Sequence, residues 1–265
     1  MLTSRIIDKL LERNCKILCI SDSLEDQKLI HNKPMKSLSY KDAMNSAITS
    51  TITIFAWRDR NVANKFATYL FDWIESSNFK TKKSFFLSSA SVYEDSKTAH
   101  YELSTNLENN EKLSLERSLG KIFIKKNTIH TNLRISNVYG LGLDYGFIGS
   151  LFKSIQSGSR IGIHPNLNTT RDYIHIDDVI YAIESLIKID TREGCINIST
   201  GIGTTISQVL DIFAKKGYKF ENREEIVLNS KNKIVSILDC TTLSNLIPWS
   251  PSTLAITIDK LIPNN

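Results

Sequence analysis

Three serine hydroxyls follow a short apolar run between residues 84 and 93. The stretch begins Ser-Phe-Phe-Leu, which predicts a buried strand, and continues Ser-Ser-Ala-Ser, which places Ser88 and Ser89 where that strand ends. Ligands of open α/β sheets bind at the carboxyl ends of strands. The stretch therefore either offers hydroxyl groups to a ligand or forms a Ser-rich turn. The residue pattern alone does not distinguish these two interpretations.

An amide side chain stands at a second predicted strand end. The run 129–136 is typical of a strand, and Asn137 follows it directly. An amide offers both a donor and an acceptor to a bound molecule. We therefore expect Asn137 at the same edge of the sheet as the serines.

A guanidinium group opens the stretch 171–178, which reads Arg-Asp-Tyr-Ile-His-Ile-Asp-Asp. The pattern predicts a strand leading into a helix that Asp177 caps. The planar guanidinium of Arg171 can pair with two oxygens of an anion at once. A surface salt bridge with Asp172 is the alternative. His175 lies between two isoleucines, so we interpret it as a structural histidine.

Composition describes a globular protein without a membrane or nucleic-acid signature. The chain has 265 residues, of which 41% are hydrophobic and 23% charged, and its net charge is +5. No apolar run approaches the roughly 18 residues that span a bilayer, and the basic residues are not interleaved with aromatic ones. We expect a cytoplasmic protein. The four cysteines show no metal-ligand spacing and are predicted to be buried, reduced thiols.

Strand patterns alternate with helix patterns along the chain, which predicts a mainly parallel sheet covered on both faces. Residues 24–50 are polar and carry no clear pattern. The capping-box sequence at 205–208 predicts the start of a helix. Predicted strands include 15–20, 51–57, 84–93, 129–136 and 195–199, and predicted helices include 3–13, 62–76, 111–126, 239–246 and 253–261.

Four motifs in order resemble those of the extended short-chain dehydrogenase/reductases, specifically the NAD-dependent epimerase/dehydratase group that acts on nucleotide sugars. They are Phe-Leu-Ser-Ser-Ala-Ser-Val-Tyr at 86–93, Leu-Arg-Ile-Ser-Asn-Val-Tyr-Gly at 133–140, the stretch 171–178, and Leu-Ile-Pro-Trp-Ser-Pro at 246–251. The resemblance covers nearly the whole chain.

The resemblance implies an α/β, Rossmann-like doubly wound sheet with a small C-terminal substrate region. It implies a nucleotide-binding core at 1–140 and 174–215 and a substrate-binding region at 141–173 and 216–265. It further implies NAD or NADP as the cofactor, a nucleotide sugar as the substrate, and a homodimer formed through the helices near 62–76 and 111–126.

The resemblance also assigns roles to single residues. Ser89 matches the hydroxyl that hydrogen-bonds the reacting sugar oxygen, Asn137 the amide that contacts the substrate, and Arg171 the guanidinium on the diphosphate. Lys112 matches the catalytic lysine. The residues implied on the cofactor side are Asp22 at the ribose, Ala56, Ser88 and Ser136.

One departure from the family pattern concerns the proton carrier. The family places a tyrosine four residues before the catalytic lysine. The charge of the lysine lowers the pKa of the tyrosine phenol, so that the tyrosine can transfer protons. Here the residue four before Lys112 is Glu108. Tyr93 and Tyr101 are the alternative carriers, although neither has a lysine at that spacing.

A second departure concerns the cofactor loop. The family begins with a central strand and a Gly-rich turn under the pyrophosphate, whereas the first 100 residues here contain no glycine. We therefore expect a sheet that lacks this strand and turn, from either a truncated reading of a longer gene or a decayed relative. Two hypotheses follow: an NAD(P)-dependent nucleotide-sugar epimerase, dehydratase or reductase, or a catalytically inactive homologue that binds a nucleotide sugar or a protein partner.

Overall fold

The computed structural model describes residues 2–21, 33–56, 70–157, 167–218 and 235–262. Its strands are β1 Leu18–Ile20, β2 Lys36–Leu38, β3 Ile48–Ala56, β4 Phe79–Ser89, β5 Ile129–Ile135, β6 Asn137–Tyr139, β7 Thr170–His175, β8 Cys195–Ile198, β9 Gly203–Thr205 and β10 Val235–Ser236. Its helices are α1 Leu2–Glu12, α2 Tyr40–Met44, α3 Glu111–Lys125, α4 Gly146–Ser157, α5 Ile176–Lys188, α6 Ile206–Ala214, α7 Thr241–Leu246 and α8 Leu254–Leu261. Residues 70–75 are also helical.

The described strands form three sheets. One has the order β3-β4-β5-β8, with β3 parallel to β4. A second has the order β10-β7-β6, with parallel pairs and with β9 antiparallel to β7. The third contains only the parallel pair β1 and β2. This alternation of strands and helices confirms the predicted α/β class.

The chain divides into two compact units. Unit 1 comprises 1–88, 114–132 and 190–194, and unit 2 comprises 89–113, 133–189 and 195–265. The division into a nucleotide-binding core and a substrate region, drawn from the sequence, concerns ligand binding and stays a prediction.

Unit 1 has an aromatic core. Phe79 of β4 lies 4.9 Å from Trp73 and 6.5 Å from Phe123 of α3, measured between ring centroids. Ile74, which is fully buried, joins the same cluster. The apolar stripe predicted for 111–126 therefore packs as a helix face against the sheet, as its 3.6-residue spacing requires.

Unit 2 has a separate core between the β6–β7 pair and three helices. Tyr139 and Tyr173, from those two strands, pack against Leu151 of α4, Phe213 of α6 and Ile258 of α8. Thr205 and Gln208 form the predicted capping box at the start of α6. The two tyrosines thus fix the strand pair that carries Asn137 and Arg171.

Several expectations about local structure were wrong. The strand expected at 15–20 covers only Leu18–Ile20. Residues 36–38 and 40–44, expected to lack a pattern, form β2 and α2. The strand predicted from Ser84 begins earlier, at Phe79, whereas its end at Ser89 is as predicted.

Two expectations about side chains were also wrong. His175, not Asp177, caps α5: its ring nitrogen Nδ1 accepts from the Asp177 backbone N–H at 3.4 Å. This role still makes His175 a structural histidine. The four cysteines are free thiols, but Cys15 is exposed and the other three are only partly buried.

Candidate functional site

Ser89 ends β4 and begins a single 3₁₀ turn at Ala90–Val92. Its hydroxyl oxygen accepts a hydrogen bond from the Ser91 backbone N–H at 3.2 Å. The Ser89 side chain is only partly buried. Since this bond uses the oxygen as an acceptor, the hydroxyl hydrogen remains able to donate to a ligand.

Asn110 links that turn to the helix that carries Lys112. Its side-chain amide donates to the Ser91 carbonyl at 2.7 Å, and its side-chain oxygen accepts from the Leu113 backbone N–H at 3.1 Å. The second bond is an N-cap on α3. Asn110 therefore holds the segment bearing Ser89 beside the start of α3.

Asn137 and Arg171 lie on neighbouring strands. Asn137 of β6 stands in register with Tyr173 of β7, and its amide donates to the Asp172 carbonyl at 3.0 Å. Arg171 is partly buried and donates to the Thr170 carbonyl at 2.9 Å. Burial lowers the pKa of the Arg171 guanidinium, whereas Tyr173 and Asp95 raise it. The structure therefore brings these two predicted residues together within one sheet.

Asp172 is fully buried and clamps β7 to the loop after β8. Its carboxylate accepts from the Thr200 backbone N–H at 3.0 Å, from the Thr200 hydroxyl at 2.8 Å and from the Gly201 backbone N–H at 2.9 Å. Burial raises the pKa of Asp172, and these hydrogen bonds oppose that shift. Asp172 is thus engaged with Thr200 and Gly201 rather than with Arg171, and the phosphate role of Arg171 stays a prediction.

The two serines predicted on the cofactor side differ in their hydrogen bonding. The hydroxyl of Ser136 donates to Asp172 at 3.3 Å. The hydroxyl of Ser88, at the end of β4 in unit 1, is buried and has no hydrogen-bond partner among the residues that the structure describes. A buried hydroxyl without a partner costs free energy unless a ligand satisfies it. Both assignments to the cofactor side stay predictions.

Tyr93 is fully buried and cannot serve as a mobile proton carrier. Its phenol donates to Asn197 at 2.8 Å and accepts from Arg134 at 2.9 Å, and the ring of His100 stacks on it at 4.6 Å. Burial raises the pKa of Tyr93. Tyr101, the other alternative, is 60% exposed.

Asn197 anchors the loop between the 3₁₀ turn and α3. Its amide donates to the carbonyls of His100 and Asp239 at 2.9 and 3.0 Å, and its backbone N–H donates to the Glu102 carboxylate at 2.9 Å. Glu102 also accepts from Thr242 at 3.1 Å. The loop is therefore held in one conformation at its middle.

The remaining predicted residues give less information. Asp22 lies outside the described residues. Ala56 is exposed at the end of β3, and Lys112 is partly buried at the second position of α3. Sequence reasoning missed Asn110 and Asn197. A helix pattern that starts just after an asparagine could have indicated the cap at Asn110, whereas no local signal marks Asn197.

The model of the NAD dependent epimerase/dehydratase family matches residues 2–198. The chain belongs to this family. Three of the four motifs that suggested the resemblance lie within this span, together with the strand ends at Ser89 and Asn137. The fourth motif, at 246–251, lies beyond it.

Two curated relatives are similar over part of the chain. A dTDP-4-dehydro-6-deoxyglucose reductase of Escherichia coli is 28% identical over 161 residues, which cover 57% of this chain and 49% of the relative. An ADP-L-glycero-D-manno-heptose-6-epimerase of Brachyspira hyodysenteriae is 32% identical over 158 residues, which cover 54% and 48%. The match thus spans about half the length of each relative.

Solved structures of low sequence identity share the fold. A UDP-glucuronic acid 4-epimerase variant from Bacillus cereus, with NAD bound, has a TM-score of 0.82 at 17% identity and covers 98% of this chain and 94% of that one. A UDP-glucose 4-epimerase from Thermotoga maritima, with UDP-glucose bound, has a TM-score of 0.78 at 20% identity and covers 98% and 94%. These likenesses confirm the Rossmann-like fold.

The residues fit a dinucleotide only in part. The unsatisfied hydroxyl of Ser88 suits a ligand group at the end of β4. A pyrophosphate needs a turn of backbone N–H groups at a helix N-terminus, with glycines that allow close approach. The first glycine of this chain is Gly120. Within the given residues, no such glycine turn precedes Gly120.

The described part of the chain holds no group of three or more His, Cys, Asp or Glu side chains placed to bind a metal ion. No described helix combines the length and apolar character needed to cross a membrane.

Proposed function

We propose that this protein binds a nucleotide sugar through unit 2 and acts in the NAD(P)-dependent epimerase, dehydratase or reductase class. The observation that carries the proposal is the pair Asn137 and Arg171 on neighbouring strands, with Asp172 between them fixed by its buried carboxylate. An amide that contacts the sugar and a guanidinium that pairs with the diphosphate match the two ends of such a substrate.

In this proposal Ser89 donates a hydrogen bond to a sugar oxygen, and Lys112 supplies positive charge from the start of α3. Asn110 positions both, because it hydrogen-bonds the turn after Ser89 and caps the helix of Lys112. The nucleotide sugars bound by the solved neighbours, UDP-glucose among them, support the choice of substrate class.

Arginine substitution tests the proposal. We expect Arg171→Met to weaken binding of UDP-glucose or dTDP-glucose by about tenfold or more, because a phosphate loses a charged bidentate partner. Arg192→Met removes the same charge from an exposed position and is the matched control. Calorimetric titration measures both. Equal affinities for the two variants, or no binding by the wild-type protein at millimolar ligand, would refute the proposal.

A catalytically silent binding protein is the second candidate. Two observations favour it: the phenol of Tyr93 is already hydrogen-bonded on both sides, and Glu108 stands where the family places its proton carrier. If only the proton carrier is missing, the Glu108→Tyr variant should convert a nucleotide sugar that the wild-type protein binds but does not convert. Product formation in the presence of NAD or NADP, followed by NMR, separates the candidates. Turnover by the wild-type protein would exclude the catalytically silent binding protein.

A further inference from the structure

Asp95 brings a carboxylate group to the strands around Arg171. Its Oδ1 atom accepts a hydrogen bond from the Val235 backbone N–H at 2.7 Å. Val235 of β10 stands in register with Thr170 of β7, the residue before Arg171. Neighbouring strands lie about 4.8 Å apart. The bond to Val235 therefore fixes the Asp95 carboxylate beside the strand that neighbours Arg171.

The charge of this carboxylate acts on the Arg171 guanidinium. Arg171 is partly buried, and its Nη1 atom donates to the Thr170 carbonyl at 2.9 Å. Burial lowers the pKa of Arg171, whereas Tyr173 and Asp95 raise it. A partly buried cation is costly unless an anion or hydrogen bonds compensate its charge. Asp95 therefore supplies a compensating charge from the protein itself.

The hydrogen bond to Val235 does not need a charged acceptor. A backbone N–H is satisfied by any suitable oxygen, including that of an asparagine side chain. Only an ionised group, by contrast, offsets the charge of a guanidinium. Because Asp95 is exposed, water can solvate its carboxylate, and another anion can take its place at Arg171 without leaving a buried charge behind.

We propose that Asp95 is an internal counter-anion that competes with the diphosphate of a ligand for Arg171 and so lowers the affinity of this site. The inference rests on the proposed function, in which Arg171 binds the diphosphate. A phosphate that reaches Arg171 exchanges one ion pair for another, which yields less binding free energy than pairing with an uncompensated guanidinium. Asp95 thereby limits how strongly the anionic part of the ligand is held.

An isosteric substitution tests the proposal. Asp95→Asn removes the charge and keeps an oxygen that can accept from Val235. We expect it to lower the dissociation constants of UDP-glucose and of inorganic pyrophosphate about threefold to tenfold, measured by calorimetric titration. Glu94→Gln removes the same charge from the neighbouring residue, which is also exposed, and is the matched control. It should change both constants less than about twofold, because salt screens distant surface charges.

Two further measurements assign the effect to Arg171. In an Arg171→Met background, Asp95→Asn should no longer strengthen binding, since a double-mutant cycle isolates the interaction between the two side chains. Before ligand is added, NMR of the arginine side-chain Nε–H groups should show a signal that is lost in Arg171→Met. We expect Asp95→Asn to shift this signal and Glu94→Gln to leave it in place. A carboxylate that only held β10 in position would give neither result.

The outcomes separate this inference from the proposed function. Binding that Asp95→Asn leaves unchanged or weakens would overturn this inference alone, as would equal effects of Asp95→Asn and Glu94→Gln. An Arg171 signal that does not respond to Asp95→Asn would also overturn it. Failure of the wild-type protein to bind either probe at millimolar concentration would overturn this inference together with the proposed function.

Discussion

Arg134 lies against the ring of Tyr93, with its guanidinium carbon 4.8 Å from the ring centroid and its Nη1 atom 2.9 Å from the phenol oxygen. The phenol also donates to Asn197. The tyrosine that ends the motif 86–93 is thus part of a buried polar network, and its hydroxyl has no freedom to carry protons for a substrate.

Tyr93→Phe should destabilise the protein by about 1–3 kcal/mol, because the substitution leaves buried groups of Arg134 and Asn197 without a partner. Urea unfolding measures the change. Tyr101→Phe removes the same hydroxyl from a side chain that is 60% exposed and should alter the free energy of unfolding by less than about 0.5 kcal/mol. Equal effects of the two substitutions would contradict the buried network.

Asp172→Asn should cost about 2–4 kcal/mol, because the N–H groups of Thr200 and Gly201 bond different carboxylate oxygens and the new NH₂ donor must face one of them. Asp144→Asn, at an exposed loop position, is the control and should be close to neutral. Thermal unfolding gives the comparison. A fall in melting temperature no larger than the control's would show that the clamp contributes little.

His130 should make stability depend on pH. The ring is held by Ser84 at 2.7 Å and stacks on Phe123 at 5.0 Å, and burial lowers the pKa of His130 to about 4. The unfolded state, with a pKa of about 6.5, binds the proton first. The free energy of unfolding should therefore fall by up to about 3 kcal/mol as pH decreases from 6.5 to 4 and should be unaffected by this group above 6.5.

The measurement for His130 is a series of urea unfolding curves between pH 4 and 8, compared with His130→Gln. The difference between the two proteins isolates the histidine from carboxylates that titrate in the same range. Parallel pH profiles for both would show that the histidine is not the source of the slope.

Lys126 should stabilise the end of the helix at 70–75. Its ammonium group donates to the carbonyls of Ile74 and Ser76 at 2.8 and 2.6 Å, which are groups that a helix C-terminus leaves without partners. Lys126→Met should cost about 1 kcal/mol in urea unfolding. Lys125→Met breaks only an exposed ion pair with Glu75 and should be nearly neutral. A larger loss of stability for Lys125→Met than for Lys126→Met would argue against the cap.

Asn110 offers a test of positioning. Asn110→Asp keeps the oxygen that caps α3 and loses the donor to Ser91, whereas Asn110→Ala loses both. We expect Asn110→Ala to lower the free energy of unfolding by about 1 kcal/mol because it removes the cap, and Asn110→Asp to lower it as well because a carboxylate oxygen then faces the Ser91 carbonyl. Both should weaken nucleotide-sugar binding about threefold to tenfold, because the turn that carries Ser89 is released. Unchanged affinity in both would remove Asn110 from the site.

Residues with a strong local pattern were predicted well. The strand 129–136, the helix near 111–126 and the capping box at 205–208 each carry a periodicity or a cap that depends on neighbours in the chain, and each is confirmed. The short strand β2 was missed, because three residues hold too little periodicity to distinguish a strand from a loop. Asp177 was chosen as the cap of α5 because acids are common caps, yet the ring nitrogen of His175 accepts that bond.

The sequence alone determined the α/β class, the family motifs and the order of the strand ends that bear Ser89, Asn137 and Arg171, because spacing and side-chain chemistry are local properties of the chain. Only the tertiary structure decided which polar groups are already satisfied. Asp172 is bound by a loop 28 residues away in the chain and Tyr93 by a residue 104 positions away. Such partners are set by packing, since most buried polar groups form a hydrogen bond with whatever group the fold brings close.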